Sequence, residues 1–221
     1  MNDVKDFCTV RVTFSKTGVA RYISHLDLNR TMIRALRRAE LPIWYTEGFN
    51  KHPYVTFASP LSLGYEGEQE TMDIRLNEDL PMDELVRRLD VVMPLGLHIL
   101  AAAPAVKKAG EVDRAVYELQ VGCPAAVIRD LLAKPQIIVQ KRTKKKTLKD
   151  VDLRPVLETA GNDLREAEGV TLWRLTLPCN STESVNPSLI AEALRAHTGQ
   201  EELLFAVRRL QVLDTTGAVF A

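Results

Sequence analysis

The chain has 221 residues, 46% of them hydrophobic and 26% charged, a composition typical of one large or two small folded domains. Lys+Arg and Asp+Glu both number 29, so the formal net charge is zero and any basic surface must come from local clustering. No apolar segment approaches the roughly 18–20 residues that span a bilayer, and the N-terminus lacks a signal-peptide pattern. Three scattered cysteines, Cys8, Cys123 and Cys179, argue against a disulfide framework and a cysteine metal site. These features predict a cytoplasmic protein without membrane contact.

Hydrophobic periodicity predicts a β-α-β-β-α-β order in the first half of the chain. Residues 8–15 alternate apolar and polar, as a strand does. A helix is expected over residues 24–39, with Ser24 as its N-cap, Asp27 in an approximate capping box, and an apolar face that begins at Leu28. The other strands and the second helix are predicted at residues 43–46, 71–76, 83–92 and 97–103.

The second half repeats this order, with a long basic insertion after its second strand. Its strands and helices are predicted at residues 115–121, 124–133, 136–141, 170–177, 187–197 and 203–213. A split β-α-β-β-α-β unit is the ferredoxin-like arrangement, an antiparallel sheet with both helices on one face. The sequence therefore predicts an α+β protein of two tandem ferredoxin-like domains, residues 1–105 and 113–221.

An arginine-rich face is predicted on the first helix. At about 100° per residue, Arg30, Arg34 and Arg37 lie within roughly one third of the helix circumference. Guanidinium groups bind phosphate oxygens bidentately, so this face could follow a nucleic-acid backbone. The alternative is an ordinary solvated face whose charges pair with Asp27 and Glu40.

The loop GFNKHP follows the second predicted strand. Gly48 permits a backbone turn that other residues disfavour, while Phe49, Asn50 and Lys51 supply a stacking ring, an amide and a cation. This combination is typical of single-stranded RNA recognition. A buried Phe49 beside an amide cap would use the same residues structurally.

Two histidines, His25 and His52, fall in this part of the chain. With Tyr45 and Lys51 they are candidates for general acid–base catalysis on a phosphodiester. No spacing forces the two imidazoles together, and His25 could simply pack beside the helix N-cap. The sequence contains neither HxxxH nor HExxH, and it lacks GxGxxG and GxxxxGK[ST], so no metal site, nucleotide site or other cofactor is predicted.

The remaining two histidines have structural explanations. His98 lies in an apolar strand and is expected to be a satisfied core histidine. His197 falls in the last turn of a helix, where a positive charge complements the helix dipole.

The strongest local excess of charge is the segment KRTKKKTLKDVDLRP. Each phosphate that it neutralised would add to a salt-dependent affinity for nucleic acid. The alternative is a solvated loop, which charge runs usually are. Its candidate RNA-binding residues are Lys141, Arg142, Lys144, Lys145, Lys146 and Arg154.

Several segments together resemble a bacterial family known as radical SAM-linked proteins, a domain of unknown function. They are RVTFSKTG, RYISHLDL, RALRRAELP, GFNKHPYVTFASPLSLG and the basic segment KRTKKKTLKDVDLRP. Members of this family occur beside or fused to radical SAM proteins, so the resemblance implies such a partner or a shared pathway. The chain itself has no CxxxCxxC and cannot ligate a radical SAM cluster.

At the level of the fold, the chain is also similar to CRISPR repeat-processing endoribonucleases, which pair two ferredoxin-like domains. That resemblance implies RNA binding and histidine-dependent cleavage without metal. The C-terminal segment DTTGAVFA departs from it, since it has the single glycine Gly217 where those proteins carry a glycine-rich loop.

Three hypotheses of function follow. The first is an RNA-binding accessory protein that acts with a radical SAM partner in tRNA or rRNA modification or processing. The second is a metal-independent endoribonuclease that uses His25 or His52. The third is a module that docks the basic surfaces onto an acidic face of the radical SAM protein.

Overall fold

The computed structural model describes residues 7–142 and 147–221. The chain divides into two compact units: Met1–Val112 with Gln211–Ala221, and Asp113–Leu210. It is a mixed α+β protein with a mostly antiparallel sheet, and the described residues form five α-helices. None of these helices is long and apolar enough to cross a lipid bilayer.

The first unit has the predicted order of elements. The elements are β1 (Cys8–Lys16), α1 (His25–Arg38), β2 (Val55–Thr56), β3 (Glu66–Leu76), α2 (Met82–Asp90) and β4 (Leu97–Pro104). The strands run in the sheet order β4-β1-β3, and the short β2 pairs with β3. Both pairings of β1 and the pairing of β2 are antiparallel.

The prediction of a strand over residues 43–46 is wrong. This segment makes only two isolated bridges, Ile43 with Leu76 and Tyr45 with Pro53. The N–H of Trp44 donates to the carbonyl of Arg75 at 2.9 Å, and the N–H of Tyr54 donates to the carbonyl of Trp44 at 3.3 Å. The segment therefore bonds to two different neighbours, and neither pairing extends into a ladder. The strand in this position is instead the two-residue β2.

The core of the first unit lies between the sheet and the two helices. The helix α1 begins after Ser24, whose side chain accepts a hydrogen bond from the backbone N–H of Asp27, which confirms the predicted cap. Alternate residues of the strands face the same apolar side of the sheet, as a period of two requires. The buried residues that α1, β1 and β3 contribute are Leu28, Met32, Ala35, Leu36, Val10, Val12, Phe14, Met72, Ile74 and Leu76.

A buried ion pair occupies the opposite face of this sheet. Arg11 is 1% exposed and binds Asp73 on the neighbouring strand through two hydrogen bonds of 2.8 and 3.0 Å. It also donates to the carbonyl of Lys107 at 2.7 Å and lies 4.0 Å from the ring of Phe220. These contacts compensate a charge that would otherwise be costly to bury, although Nη1 of Arg11 has no hydrogen-bond partner among the described residues.

The C-terminal segment of the first unit is anchored by Asp214. Its carboxylate lies 2.7 Å from the ammonium of Lys107 and accepts hydrogen bonds from Thr216 and the N–H of Ala218. The Lys107 ammonium and then the Thr216 hydroxyl hold the pKa of Asp214 far below its usual range. The ionised form of Asp214 therefore stabilises the folded state.

This anchor predicts a specific dependence of stability on acid. Because the pKa of Asp214 is lower when folded than when unfolded, its contribution is present above the unfolded pKa near 3.9 and is lost as pH falls below about 4. Asp214→Asn should therefore lose less stability between pH 7 and pH 3 than the unchanged protein, measured by urea unfolding. The exposed Asp130→Asn is the matched control. An unaltered acid dependence in Asp214→Asn would contradict the assignment.

The second unit contains more elements than the sequence predicted. The elements are β5 (Val112–Val121), α3 (Ala125–Leu132), β6 (Ile138–Arg142), β7 (Leu148–Asp152), α4 (Arg154–Glu158), β8 (Asp163–Ala167), β9 (Val170–Pro178), α5 (Pro187–Thr198) and β10 (Phe205–Asp214). The last four residues of β10 belong to the first unit. The sheet has the order β10-β5-β9-β8, and β6 and β7 form a separate two-stranded sheet.

The predicted strand at residues 136–141 forms, but outside the main sheet of this unit. It pairs with β7, and the place beside β9 is taken by β8, which the sequence pattern did not reveal. The strand β8 lies at the edge of the sheet, with three of its five side chains exposed and none buried, so it carries no alternating apolar signal.

Candidate nucleic-acid interface

The exposed side of α1 carries three arginines, Arg30, Arg34 and Arg37, which we call the arginine stripe. All three side chains are exposed, as the spacing predicted. The guanidinium of Arg37 lies over the ring of Tyr45, 6.0 Å from its centroid. This contact joins the C-terminal end of the stripe to the segment that leads into the GFNKHP loop.

Part of this helix surface is used for local interactions. Arg30 pairs with Asp27 at 3.1 Å on the solvent-exposed surface, and Arg38 donates to the carbonyl of Val92 at 2.6 Å. The Ser24 hydroxyl and the Arg30 guanidinium lower the pKa of Asp27, so this carboxylate remains charged beside the stripe. Asp27 therefore neutralises the N-terminal end of the stripe more than its C-terminal end.

The loop of residues 46–52, which we call the Phe49 loop, is closed by hydrogen bonds between its two ends. The N–H of Thr46 donates to the carbonyl of His52 at 2.9 Å, and the N–H of His52 donates to the Thr46 hydroxyl at 3.2 Å. Gly48 adopts a φ of 111°, a value that side-chain-bearing residues rarely adopt. The closed ends and this glycine present Phe49 to solvent, where its ring is fully exposed.

The structure gives His52 a role in shaping this loop. Its Nδ1 lies 3.0 Å from the hydroxyl of Thr46 and 3.0 Å from the carbonyl oxygen of Asn50. One ring nitrogen is thus used to hold the loop closed, while the side chains of Asn50 and Lys51 are exposed beside Phe49.

His25 lies in a different environment, at the first turn of α1. Its ring packs edge-on against Phe57 with a centroid distance of 5.0 Å, and its Nδ1 is enclosed without a hydrogen-bond partner among the described residues. Twelve residues separate His25 from Arg37, a rise of about 18 Å along an α-helix. Arg37, at the other end of α1 from His25, contacts Tyr45, and His52 closes the loop that follows Tyr45. These contacts therefore do not join the two histidines in one catalytic group.

The predictions for the other two histidines had different results. His98 was predicted as a core histidine, and this is wrong: its side chain is 63% exposed and lies 3.7 Å from Asp90. On β4, Leu97 and Ile99 face the core, so the alternation of the strand turns His98 outward. His197 lies in the last turn of α5, as predicted.

Part of the basic segment KRTKKKTLKDVDLRP lies in the β6–β7 hairpin of the second unit. Lys141 and Lys149 are directly opposed across the strands, and the ammonium of Lys141 donates to the carbonyl of Ser184 at 2.8 Å. Arg154 begins α4 and pairs with Glu158 at 3.6 Å. Three of the predicted RNA-binding residues lie outside the described residues: Lys144, Lys145 and Lys146. For Arg142, the structure describes the backbone in β6 only.

Sequence reasoning missed a cluster of buried charges where β1 and β3 reach the 3₁₀ turn Gly18–Tyr22. The ammonium of Lys16, 1% exposed, donates to the carbonyl of Arg21 at 3.1 Å. Glu66 accepts from the N–H of Gly18 at 3.0 Å, and Glu70 is also buried. In the sequence, YEGEQE has the charge density of an exposed strand, and no local signal distinguishes these buried carboxylates from solvated ones.

Comparison with known proteins places these features within a family. The family described as an uncharacterized protein conserved in bacteria (DUF2344) matches residues 9–187. The match includes all of α1, the Phe49 loop and the β6–β7 hairpin. The comparison with curated proteins gives no match. Because the matched region covers most of the chain, the protein belongs to this bacterial family of uncharacterized proteins.

Proposed function

We propose that this protein binds single-stranded segments of RNA through the arginine stripe and the Phe49 loop. The observation that carries the proposal is the fully exposed Phe49 ring, which the closed loop holds away from the core. An exposed aromatic ring beside cations is a stacking platform for an unpaired base, since every base has a π-face.

The charges around this ring suit a phosphate backbone. Among residues 7–142 and 147–221, no carboxylate oxygen lies within ion-pair distance of Arg34, Arg37 or Lys51. Their charges are therefore available to phosphate oxygens, and the Arg37 guanidinium lies over the ring of Tyr45. Bases would stack on Phe49 while the arginines neutralise the adjoining phosphates.

The proposal also covers the RNA target, the partner enzyme and the fold of the two units. On the family resemblance, the RNA is a tRNA or rRNA, and binding assists a radical SAM enzyme that modifies or processes it. Two ferredoxin-like units are supported by the β-α-β-β-α-β order of the first unit and by the β10-β5-β9-β8 order of the second. In the second unit, Lys141 and Lys149 of the hairpin and Arg154 of α4 supply further cations that could bind RNA phosphates.

The charge contribution is tested by removing Arg34 and Arg37 together. For a single strand, each neutralised phosphate contributes about 0.7 to the slope of log K against log salt. Arg34→Ala/Arg37→Ala should therefore reduce this slope by about 1.4 and weaken binding most at low salt, measured by fluorescence anisotropy with a labelled single-stranded RNA. Arg87→Ala, which removes an exposed arginine of α2, is the control and should leave the slope unchanged.

Two results would overturn the proposal. One is the absence of salt-sensitive RNA binding by the unchanged protein at low ionic strength. The other is a loss of slope of about 0.7 in the α2 control, half the loss of the double variant, because each removed charge would then count equally and binding would depend on total charge rather than on the arginine stripe.

A further inference from the structure

Arg75 of β3 is enclosed by aromatic rings on the face of the sheet that is turned away from the apolar core. The guanidinium carbon of Arg75 lies 3.9 Å from the ring centroid of Phe7, 3.9 Å from that of Tyr54 and 5.0 Å from that of Trp44. Its Nε is buried and has no hydrogen-bond partner in residues 7–142 and 147–221. The rings stabilise the cation through their faces but offer no acceptor to its N–H groups.

Other arginines with little exposure in this unit have acceptors. Arg11, on the same face of the sheet, binds Asp73 bidentately in addition to stacking on Phe220. Arg88 donates to the carbonyls of Ala39 and Glu40. For Arg75, no hydrogen bond or ion pair to any described residue is present. A partly buried guanidinium without an acceptor retains its capacity for a charged partner.

We propose that Arg75 binds the phosphate group of a ligand. The aromatic rings cover the faces of the guanidinium and Nε is enclosed, so an oxyanion meets the two terminal nitrogens in the plane of the group. Two parallel N–H donors match two oxygens of a phosphate. The stacked rings hold the guanidinium in a fixed orientation, which lowers the entropy lost on binding.

This site is separate from the arginine stripe. Ile74 and Leu76 of β3 are buried in the core beneath the helices, so alternation along the strand directs Arg75 to the face turned away from α1. The site therefore takes its own phosphate group, and its test needs no RNA-binding assay.

The fluorescence of Trp44 can be used to measure phosphate binding at Arg75. It lies beside Arg75, whereas the other tryptophan, Trp173, is fully buried and donates to Asn162. Titration with sodium phosphate against sodium chloride of matched ionic strength should change the Trp44 fluorescence in a saturable manner, with a Kd of about 1 mM or tighter. Trp44→Phe should remove this signal. The affinities for a nucleoside 5′-monophosphate and for a dinucleoside monophosphate should be compared in parallel. This comparison shows whether the site prefers a terminal phosphate or an internal diester.

Arg75→Lys is the decisive variant, since it keeps the charge but loses the planar pair of donors. It should weaken phosphate binding by at least about tenfold, as expected for the loss of a charge-assisted hydrogen bond. Arg87→Lys is the matched control. In the unchanged protein, the Nε–H resonance of Arg75 should also shift with phosphate in NMR spectra, a result that does not depend on any variant folding. A fluorescence change that follows ionic strength alone, undiminished binding in Arg75→Lys, or tighter binding of acetate would each overturn the proposal.

Discussion

Phe49→Ala is expected to weaken the binding of single-stranded RNA by about 1–3 kcal/mol, the contribution of one base–aromatic stack. The ring is fully exposed in the free protein, so its removal leaves no cavity and should not change the free energy of unfolding. The salt dependence of binding should also stay the same, because no charge is removed. Anisotropy measurements with a labelled single-stranded RNA at several salt concentrations give both quantities.

Val106→Ala is the matched control for this variant, since Val106 is another highly exposed apolar side chain of the first unit. Its RNA affinity should equal that of the unchanged protein. Phe49→Trp should preserve binding, because a larger ring remains available for stacking. Equal affinities for Phe49→Ala and the unchanged protein would remove the Phe49 loop from the interface.

Asp73→Ala is expected to lower the free energy of unfolding by about 3–5 kcal/mol, because it leaves the buried charge of Arg11 without its carboxylate. The carbonyl of Lys107 and the ring of Phe220 still contact this guanidinium, but neither carries a compensating charge. Urea unfolding followed by circular dichroism measures the loss.

The double variant Arg11→Met/Asp73→Val tests the cause of that loss. Replacing both partners of a buried pair with apolar side chains of similar volume is often close to neutral, so the double variant should recover most of the lost stability. If the double variant is less stable than Asp73→Ala, the loss arises from packing around Asp73 and the account of an unpaired charge is wrong.

The elements predicted best are those with strong local signals. The helix α1 combines an N-cap serine with apolar residues at helical spacing, and both features depend only on residues within a few positions of one another. The exposure of Arg30, Arg34 and Arg37 follows from the same periodicity. The general position of the candidate RNA surface could therefore be predicted from the sequence.

The incorrect predictions concern features that depend on distant residues. His98 lies in an apolar segment, but only the pairing of β4 with β1 decides which side of the strand faces the core. The predicted strand at residues 43–46 has suitable side chains, yet its two bridges go to different partners, Leu76 and Pro53, and neither extends into a ladder. The edge strand β8 was missed because exposed side chains give no periodic signal.

The sequence by itself determined the α+β class, the arginine stripe and the composition of the Phe49 loop, because these follow from short-range periodicity and residue chemistry. Only the tertiary structure showed that Phe49 is exposed, that His52 closes its loop and that Arg37 meets Tyr45. It also decided which charges are neutralised: Arg11 has a carboxylate from the next strand, whereas among the described residues Arg75 contacts aromatic rings without an acceptor. Partners so far apart in the chain are brought together by strand pairing and packing, which local patterns do not specify.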